Sequence, residues 1–380
     1  MIAIIELYQH HEVLRHYCDL LKGSDHKVKI FCSSIVHQML EDLHNQPSFE
    51  WVVQTEKQNI PDFLSSNYPV IKEAKLVFIT TVLNNFKAFY QLSKINKTIL
   101  LVHNAHSFLA PQNFLSLNLD TWDRLRWLKI QLIRAHYYKR QLLENLAGLV
   151  FPNQVVLRYV QNRFTIPSHL KLVTLSFASY QPPSNIPLKD YFIITIPCTV
   201  TSVLRDYDLV LSSIRKIKNK LSKNIQLILL GKPKGDGSKI ITQFKALDSP
   251  TIKITTFKKT IPLEEYNYWL SVSNFLILPL HPYCKNYIYQ EQLGYSKISG
   301  GVNDMIRFGV PALIPDHYPL EEDLEKMVER YPQNLLAKKL LHWINQGEYL
   351  NYQHQVKTAL KNHYQPKMRS SFFKTIEIFL

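Results

Sequence analysis

A chain of 380 residues is too long for one ordinary core and predicts two domains of about 150–200 residues each. With 46% hydrophobic and 20% charged residues it has a soluble, globular composition, and no apolar run reaches the ~18–20 residues of a membrane span. A net charge of +15 favours anionic partners, whether nucleotides, nucleic acid or a membrane surface, without choosing among them. The four cysteines, Cys18, Cys32, Cys198 and Cys284, form no CxxC pair and give neither a disulfide nor a zinc framework.

The first residues, MIAIIELYQHHEVL, lack a basic leader and soon reach acid and histidine. IAIIEL (2–7) therefore reads as a first strand rather than a signal peptide, and a reducing cytoplasm is the expected compartment. EVLRHYCDLLKG (12–23) follows with helical spacing and Gly23 as its cap. KVKIFCSS (27–34), KLVFITT (75–81) and TILLVHN (98–104) are further strands, with the helix-like NNFKAFYQLSKI (84–95) before the last of them. GLVFPN (148–153) and LKLVTLSF (170–177) each follow a helical segment. Strands alternating with helices predict a parallel sheet covered on both faces.

The stretch YQPPSNIPLKD (180–190) holds three prolines and no periodicity, which predicts a linker over 181–190. The alternation then restarts with YFIITIP (191–197), a helix over 206–222, strands IQLILLG (225–231) and TIKITTF (251–257), a helix over 262–273, and strand NFLILPL (274–280). A short helix around 302–308 and strand PALIP (311–315) follow, and SSFFKTIEIFL (370–380) closes the chain as a helix. The expectation is an α/β protein with a first domain over 1–180 and a second over 191–362. In open parallel sheets ligands bind beyond the carboxyl ends of the strands.

Four of the ten glycines, Gly294, Gly300, Gly301 and Gly309, fall within sixteen residues. In SGGVNDMIRFGVPALIPD (299–316), Ser299 is placed to N-cap a two-turn helix that Gly309 ends and Pro311 keeps from resuming. The N–H groups of its first turn would make an anion site; a plain βα loop with a Gly-x-Pro exit fits the same residues equally well. There is no GxGxxG and no P-loop, so the dinucleotide-dehydrogenase and ATPase readings have no positive support.

Three pieces in order carry a resemblance: RDYDLVLSSI (205–214), IQLILLGKPKG (225–235), and YWLSVSNFLILPL (268–280) followed by YSKISGGVNDMIRFGVPALI (295–314). Together they resemble the donor domain of GT-B-fold glycosyltransferases of the retaining, family-4-like group. The resemblance implies two Rossmann-like parallel-sheet domains facing a cleft, with a C-terminal helix over 363–380 packing back on the first domain. It implies transfer of a sugar from a nucleotide-sugar donor, held by the second domain, to a glycan or lipid-linked acceptor held by the first, with retention. Asp304 takes the place of the second acid of that group's Glu-x7-Glu element, which implies a catalytic residue that orients the donor, whereas Ser296, beside Lys297, stands where the first acid is expected. Ser299, Gly300 and Gly301 fall where backbone N–H groups approach the diphosphate.

By the same resemblance, Arg205 and Lys232 are the candidate phosphate cations, Thr199 lies in the turn after the first strand of the domain, and Phe257 falls where a nucleobase packs. Solvated loop charges describe Arg205 and Lys232 equally well. His103 and His106, in LLVHNAHSF (100–108), correspond to the place near the reacting carbon. Their HxxH spacing lacks a third metal ligand, and neither metal nor cofactor is expected; the nucleotide sugar is a substrate.

The stretch 121–146 is helical in pattern and interleaves Arg124, Arg126, Lys129, Arg134, Lys139 and Arg140 with Trp122, Trp127, Tyr137 and Tyr138. It suits peripheral contact with an anionic membrane on its cytoplasmic face, as a lipid-linked acceptor would require; a surface helix with Trp and Leu packed on the sheet has the same pattern. No nucleic-acid reader motif accompanies it, and no nucleic-acid partner is expected. Two alternatives stand beside the enzyme. One is a non-catalytic GT-B relative that binds a nucleotide sugar or a protein; the other is a basic membrane-surface or nucleic-acid-binding protein.

Overall fold

The structure, a computed structural model, describes residues 1–8, 10–110, 121–132, 134–182, 191–286 and 288–380. Residues 183–190 of the expected linker lie outside the described residues. The chain forms two compact units: Met1–Phe177 with Lys285–Glu291 and Pro366–Leu380, and Ala178–Cys284 with Gln292–Gln365.

The first unit is built on a parallel sheet of strands β1 (Ile2–Glu6), β2 (Val28–Ser33), β3 (Phe49–Gln54), β4 (Leu76–Ile79), β5 (Thr98–Leu101), β6 (Gly148–Phe151) and β7 (Lys171–Thr174), in the order β3-β2-β1-β4-β5-β6-β7. β1, β4, β5 and β6 are buried throughout, which is why they read as unbroken apolar runs. β3, FEWVVQ, lies on the sheet edge with Glu50 exposed; no pattern in the sequence had marked it. The helix Gln365–Glu377 sets Phe372 against Tyr17, with ring centroids 5.7 Å apart. The stretch 121–146 is two helices, Thr121–Leu132 and Ala135–Asn145, separated where Arg134 takes φ 51°.

The second unit has strands β8 (Phe192–Pro197), β9 (Ile225–Leu230), β10 (Ile252–Thr256), β11 (Phe275–Ile277), β14 (Ala312–Pro315) and β15 (Val328–Tyr331), all parallel, in the order β10-β9-β8-β11-β14-β15. Alternate residues of β9 feed separate cores: Ile225, Leu227 and Leu229 on one face, Ile228 and Leu230 on the other. The two-stranded ribbon β12 (Tyr283–Asn286) and β13 (Tyr289–Gln292) supplies Lys285–Glu291 to the first unit.

In each sheet the strand order reverses once, between β1 and β4 in the first and between β8 and β11 in the second. The crevice at the carboxyl ends of such a strand pair is where an open parallel sheet binds ligands. Among the described residues no helix is long and apolar enough to cross a membrane.

Candidate functional site

In the second unit the reversal point is made by residues 197–205. The chain leaves β8 at Cys198, which takes φ 76°, a conformation ordinarily left to glycine. The Cys198 carbonyl passes so close over β9 that a Cβ on Gly231 would sit 2.1 Å from its oxygen. Glycine at the end of IQLILLG therefore answers to a close backbone approach. Arg205 follows, its backbone bridged to Leu280 beyond β11 while the Asp206 N–H donates to the Pro279 carbonyl at 2.7 Å.

These tethers hold the Arg205 side chain inside the protein, 3% exposed. Its Nη1 donates to the Thr199 carbonyl at 3.3 Å, and its Nε has no hydrogen-bond partner among the described residues. Burial acts to lower its pKa, but Cys198, Tyr207, Tyr266 and Asp304 more than offset that and leave it raised. The guanidinium is therefore a fixed positive charge.

The helix Gly300–Phe308 starts beside it. Ser299 holds the N-cap position but makes no capping side-chain bond; its N–H donates to the Tyr318 hydroxyl at 3.0 Å. A Cβ on Gly300 would lie 3.3 Å from Cys198 Sγ, and one on Gly301 would lie 2.8 Å from Leu278 Cδ2 and 3.2 Å from Pro197 Cγ. The two glycines let the helix start abut the end of β8. Gly309 closes the helix at φ 60°.

Asp304, one turn in, is 6% exposed. Its Oδ2 accepts from the Tyr266 hydroxyl at 2.7 Å and lies 3.8 Å from Cys198 Sγ; its Oδ1 is 3.8 Å from Arg307 Nη1. Burial, then the Asp304 charge, pushes the Tyr266 phenol well above its ordinary pKa, which keeps it a donor.

The structure thus gathers Thr199, Arg205, Gly300, Gly301 and Asp304 at one corner, with Ser299 at the helix start. The other expected residues lie apart in their contacts. Lys232 is exposed, and its Nζ donates to Thr260 Oγ1 at 3.3 Å. Phe257 packs against the core of the unit. Ser296 is fully buried, its Oγ accepting from the Gln292 N–H at 2.8 Å; Lys297 is half-buried, and its carbonyl accepts from the Gly294 N–H at 2.7 Å.

In the first unit the reversal point carries a second polar cluster. Glu6, at the end of β1, is fully buried. Its Oε2 accepts from Thr80 Oγ1 at 2.7 Å and Thr81 Oγ1 at 2.6 Å, and its Oε1 from the Tyr8 N–H at 2.8 Å. Nε2 of His103 lies 2.8 Å from the Thr80 carbonyl, which can only accept, so that nitrogen carries the proton. The His103 ring stacks on His10 with centroids 4.1 Å apart. His106 is turned elsewhere, with Nε2 2.7 Å from the Tyr159 hydroxyl. A cavity of about 50 Å³ beside His103 is lined by Thr81, Asn104, Ser107, Phe108 and Asn286. It is far below the ~300 Å³ of a small-molecule pocket.

Sequence reasoning passed over Glu6, Cys198, Tyr266 and Glu291. Glu291 is buried in the first unit and accepts from the N–H groups of His106 at 3.1 Å and Ser107 at 2.7 Å. Glu6 did leave a signal, a lone acid closing an otherwise apolar strand. The other three left none, because their roles depend on contacts remote in sequence. Among the described residues no group of three or more His, Cys, Asp or Glu is placed to hold a metal ion.

The chain matches no family model, and no curated protein matches it. Among solved structures it is similar to HepE of Anabaena, determined with UDP, at 11% identity and TM-score 0.64 over 99% of both chains. It is likewise similar to the UDP-forming α,α-trehalose-phosphate synthase of Burkholderia vietnamiensis, at 9% identity and TM-score 0.59 over 99% of both chains. The N-terminal domain of Candida albicans trehalose-6-phosphate phosphatase aligns over 100% of this chain and 96% of its own, at 10% identity and TM-score 0.61. Identities this low speak for architecture alone. With its two parallel sheets, each reversing strand order once, the chain has the GT-B fold.

Proposed function

We propose that the protein is a glycosyltransferase: its second unit takes a nucleotide-activated sugar, and the sugar passes to a glycan or lipid-linked acceptor with retention. The observation that carries this reading is Arg205, a buried guanidinium whose Nε has no hydrogen-bond partner among the described residues, beside the glycine-opened start of the Gly300–Phe308 helix. A diphosphate gains negative charge as it leaves the sugar. A fixed cation and a helix N-terminus suit that charge and cost no reorganisation when it develops.

In this reading Arg205 and the Gly300 and Gly301 amides take the diphosphate, with Lys232 as a second, exposed cation and no metal required. Phe257 and Thr199 belong to the nucleoside side of the site, and Ser296 and Lys297 to the loop that shapes it. We assign Asp304 to positioning, since both of its oxygens already face partners. His103 and His106 are the proposed acceptor-side residues. Because HepE was determined with UDP-glucose as well as UDP, uridine diphosphate sugars are the first donors to try.

Thermal unfolding of the full chain against a panel of nucleotide sugars tests the reading, because a ligand bound only by the folded state raises the midpoint. At least one nucleotide sugar should raise it, release of nucleoside diphosphate should follow when acceptor is added, and Arg205→Gln should lose the shift while remaining folded. A panel that leaves the midpoint unmoved, with no diphosphate released, would overturn it.

A further inference from the structure

The helix Thr121–Leu132 presents large apolar side chains to solvent: Trp122 is 74% exposed, Leu125 55% and Leu128 50%. Its inner side is fastened. Asp123 is 1% exposed and pairs with Lys285, within the same unit, and Trp127 is half-buried. At about 100° per residue, Leu125 and Leu128 fall in one outward stripe. Arg124 and Lys129, both exposed, border it on either side, with Trp122 beyond Lys129. The side chains of Thr121, Arg126 and residues 130–133 lie outside the described residues.

A Trp-Leu-Leu surface turned outward is costly in water unless something covers it. The charges around it say what. The single acid of this helix, Asp123, is the one buried on the inner side, so the outward face carries only positive charge. Arg134 and Arg140, in and beyond the helix break, are also exposed, and the whole chain has net charge +15. Leucines between basic borders, with an indole at the edge, match an anionic bilayer surface: acyl chains take the leucines, the headgroup layer takes the indole, and lipid phosphates face the Arg and Lys.

We propose that the outward face of Thr121–Leu132 is an interfacial membrane-binding surface for anionic phospholipid. It deepens the reading above by naming the surface at which a lipid-linked acceptor would be met, yet it is carried by this helix alone. Flotation of the full chain with vesicles tests it, using phosphatidylcholine alone or mixed with phosphatidylglycerol. The protein should float with the anionic vesicles, less so as salt is raised, and stay behind with phosphatidylcholine alone. Replacing Trp122, Leu125 and Leu128 together by Ser should lower the floating fraction on the order of tenfold. Arg124→Gln with Lys129→Gln should lower it and flatten its salt dependence.

Because all five positions are exposed, both variants should keep the wild-type melting temperature and any nucleotide-sugar shift. Failure of the donor reading would thus leave the flotation result intact, and the reverse. Absence of binding to anionic vesicles would overturn the proposal. So would a serine variant that floats like the wild type. Loss of a concentration-dependent dimer, or of RNA binding, in that variant without any lipid binding would do the same.

Discussion

The Tyr266 hydroxyl donates to Asp304 Oδ2 at 2.7 Å, joining two helices of the second unit through a buried charged bond. Removing the donor leaves a carboxylate oxygen without its main partner in a place water hardly reaches. Tyr266→Phe should therefore cost about 1.5–3 kcal/mol in urea unfolding, the range for hydrogen bonds to charged groups. If the corner formed by Arg205 and the helix start is what binds nucleotide, the same variant should weaken any nucleotide-sugar stabilisation beyond the loss of global stability. A cost below about 0.5 kcal/mol would show that Asp304 does not depend on this bond.

Glu6 holds the end of β1 to the end of β4 through Thr80 and Thr81. Glutamine in its place can keep the two threonine hydroxyls on its carbonyl, but its NH2 then meets the Tyr8 N–H donor. Glu6→Gln should destabilise the protein by about 1–3 kcal/mol, and Glu6→Ala by more, because alanine leaves Thr81 Oγ1 and the Tyr8 N–H without their acceptor, while Thr80 Oγ1 keeps only the Ile5 carbonyl at 3.0 Å. Thermal unfolding of the two variants beside Thr81→Val gives the ranking. Equal stability of Glu6→Ala and Glu6→Gln would refute the role assigned to the carboxylate.

Gly231 and Gly301 look alike as glycines at close approaches, yet their substitutions should part in size. A Cβ at 231 meets the Cys198 carbonyl oxygen at 2.1 Å and its carbon at 2.5 Å, and that backbone is already fixed by the turn. Gly231→Ala should cost about 3 kcal/mol or more. A Cβ at 301 first meets Leu278 Cδ2, the end of a flexible side chain, and alanine favours a helix over glycine by up to ~1 kcal/mol. Gly301→Ala should fall near neutral in the same denaturation experiment. A Gly231→Ala variant as stable as Gly301→Ala would show that the turn can move aside.

The legible parts of this fold are those where burial is continuous. β1, β4, β5, β8 and β9 announce themselves because both faces are covered, so most of their residues are apolar. β3 escapes notice because an edge strand needs only one buried side. The glycine cluster at 299–309 was readable because glycine there serves a close approach and a helix end, both local in sequence. At residue 198 the turn has a backbone shape ordinarily left to glycine but carries cysteine at φ 76°, so no glycine marks it in the sequence. Tyr266 and Asp304 lie 38 residues apart, and nothing in either segment foretells the bond.

Lys139 offers a test through pH. It is 7% exposed, donates to the Ser107 carbonyl at 3.2 Å and lies 5.5 Å from the Tyr289 ring centroid. Burial lowers its pKa from 10.5 to about 8. Below about pH 8 both folded and unfolded chains hold this proton, and the full cost of burying the charge is present, on the order of 3 kcal/mol. Between about pH 8 and 10.5 the unfolded chain still binds a proton that the folded chain has released, so this group's contribution to stability improves as pH rises. Lys139→Met removes the charge and keeps most of the volume, at the loss of one hydrogen bond. The variant should be more stable than wild type at neutral pH by about 1–3 kcal/mol, and the gap should close toward pH 10. Urea unfolding of both proteins across that range measures it; a gap that stays constant with pH would show that Lys139 titrates as an ordinary surface lysine.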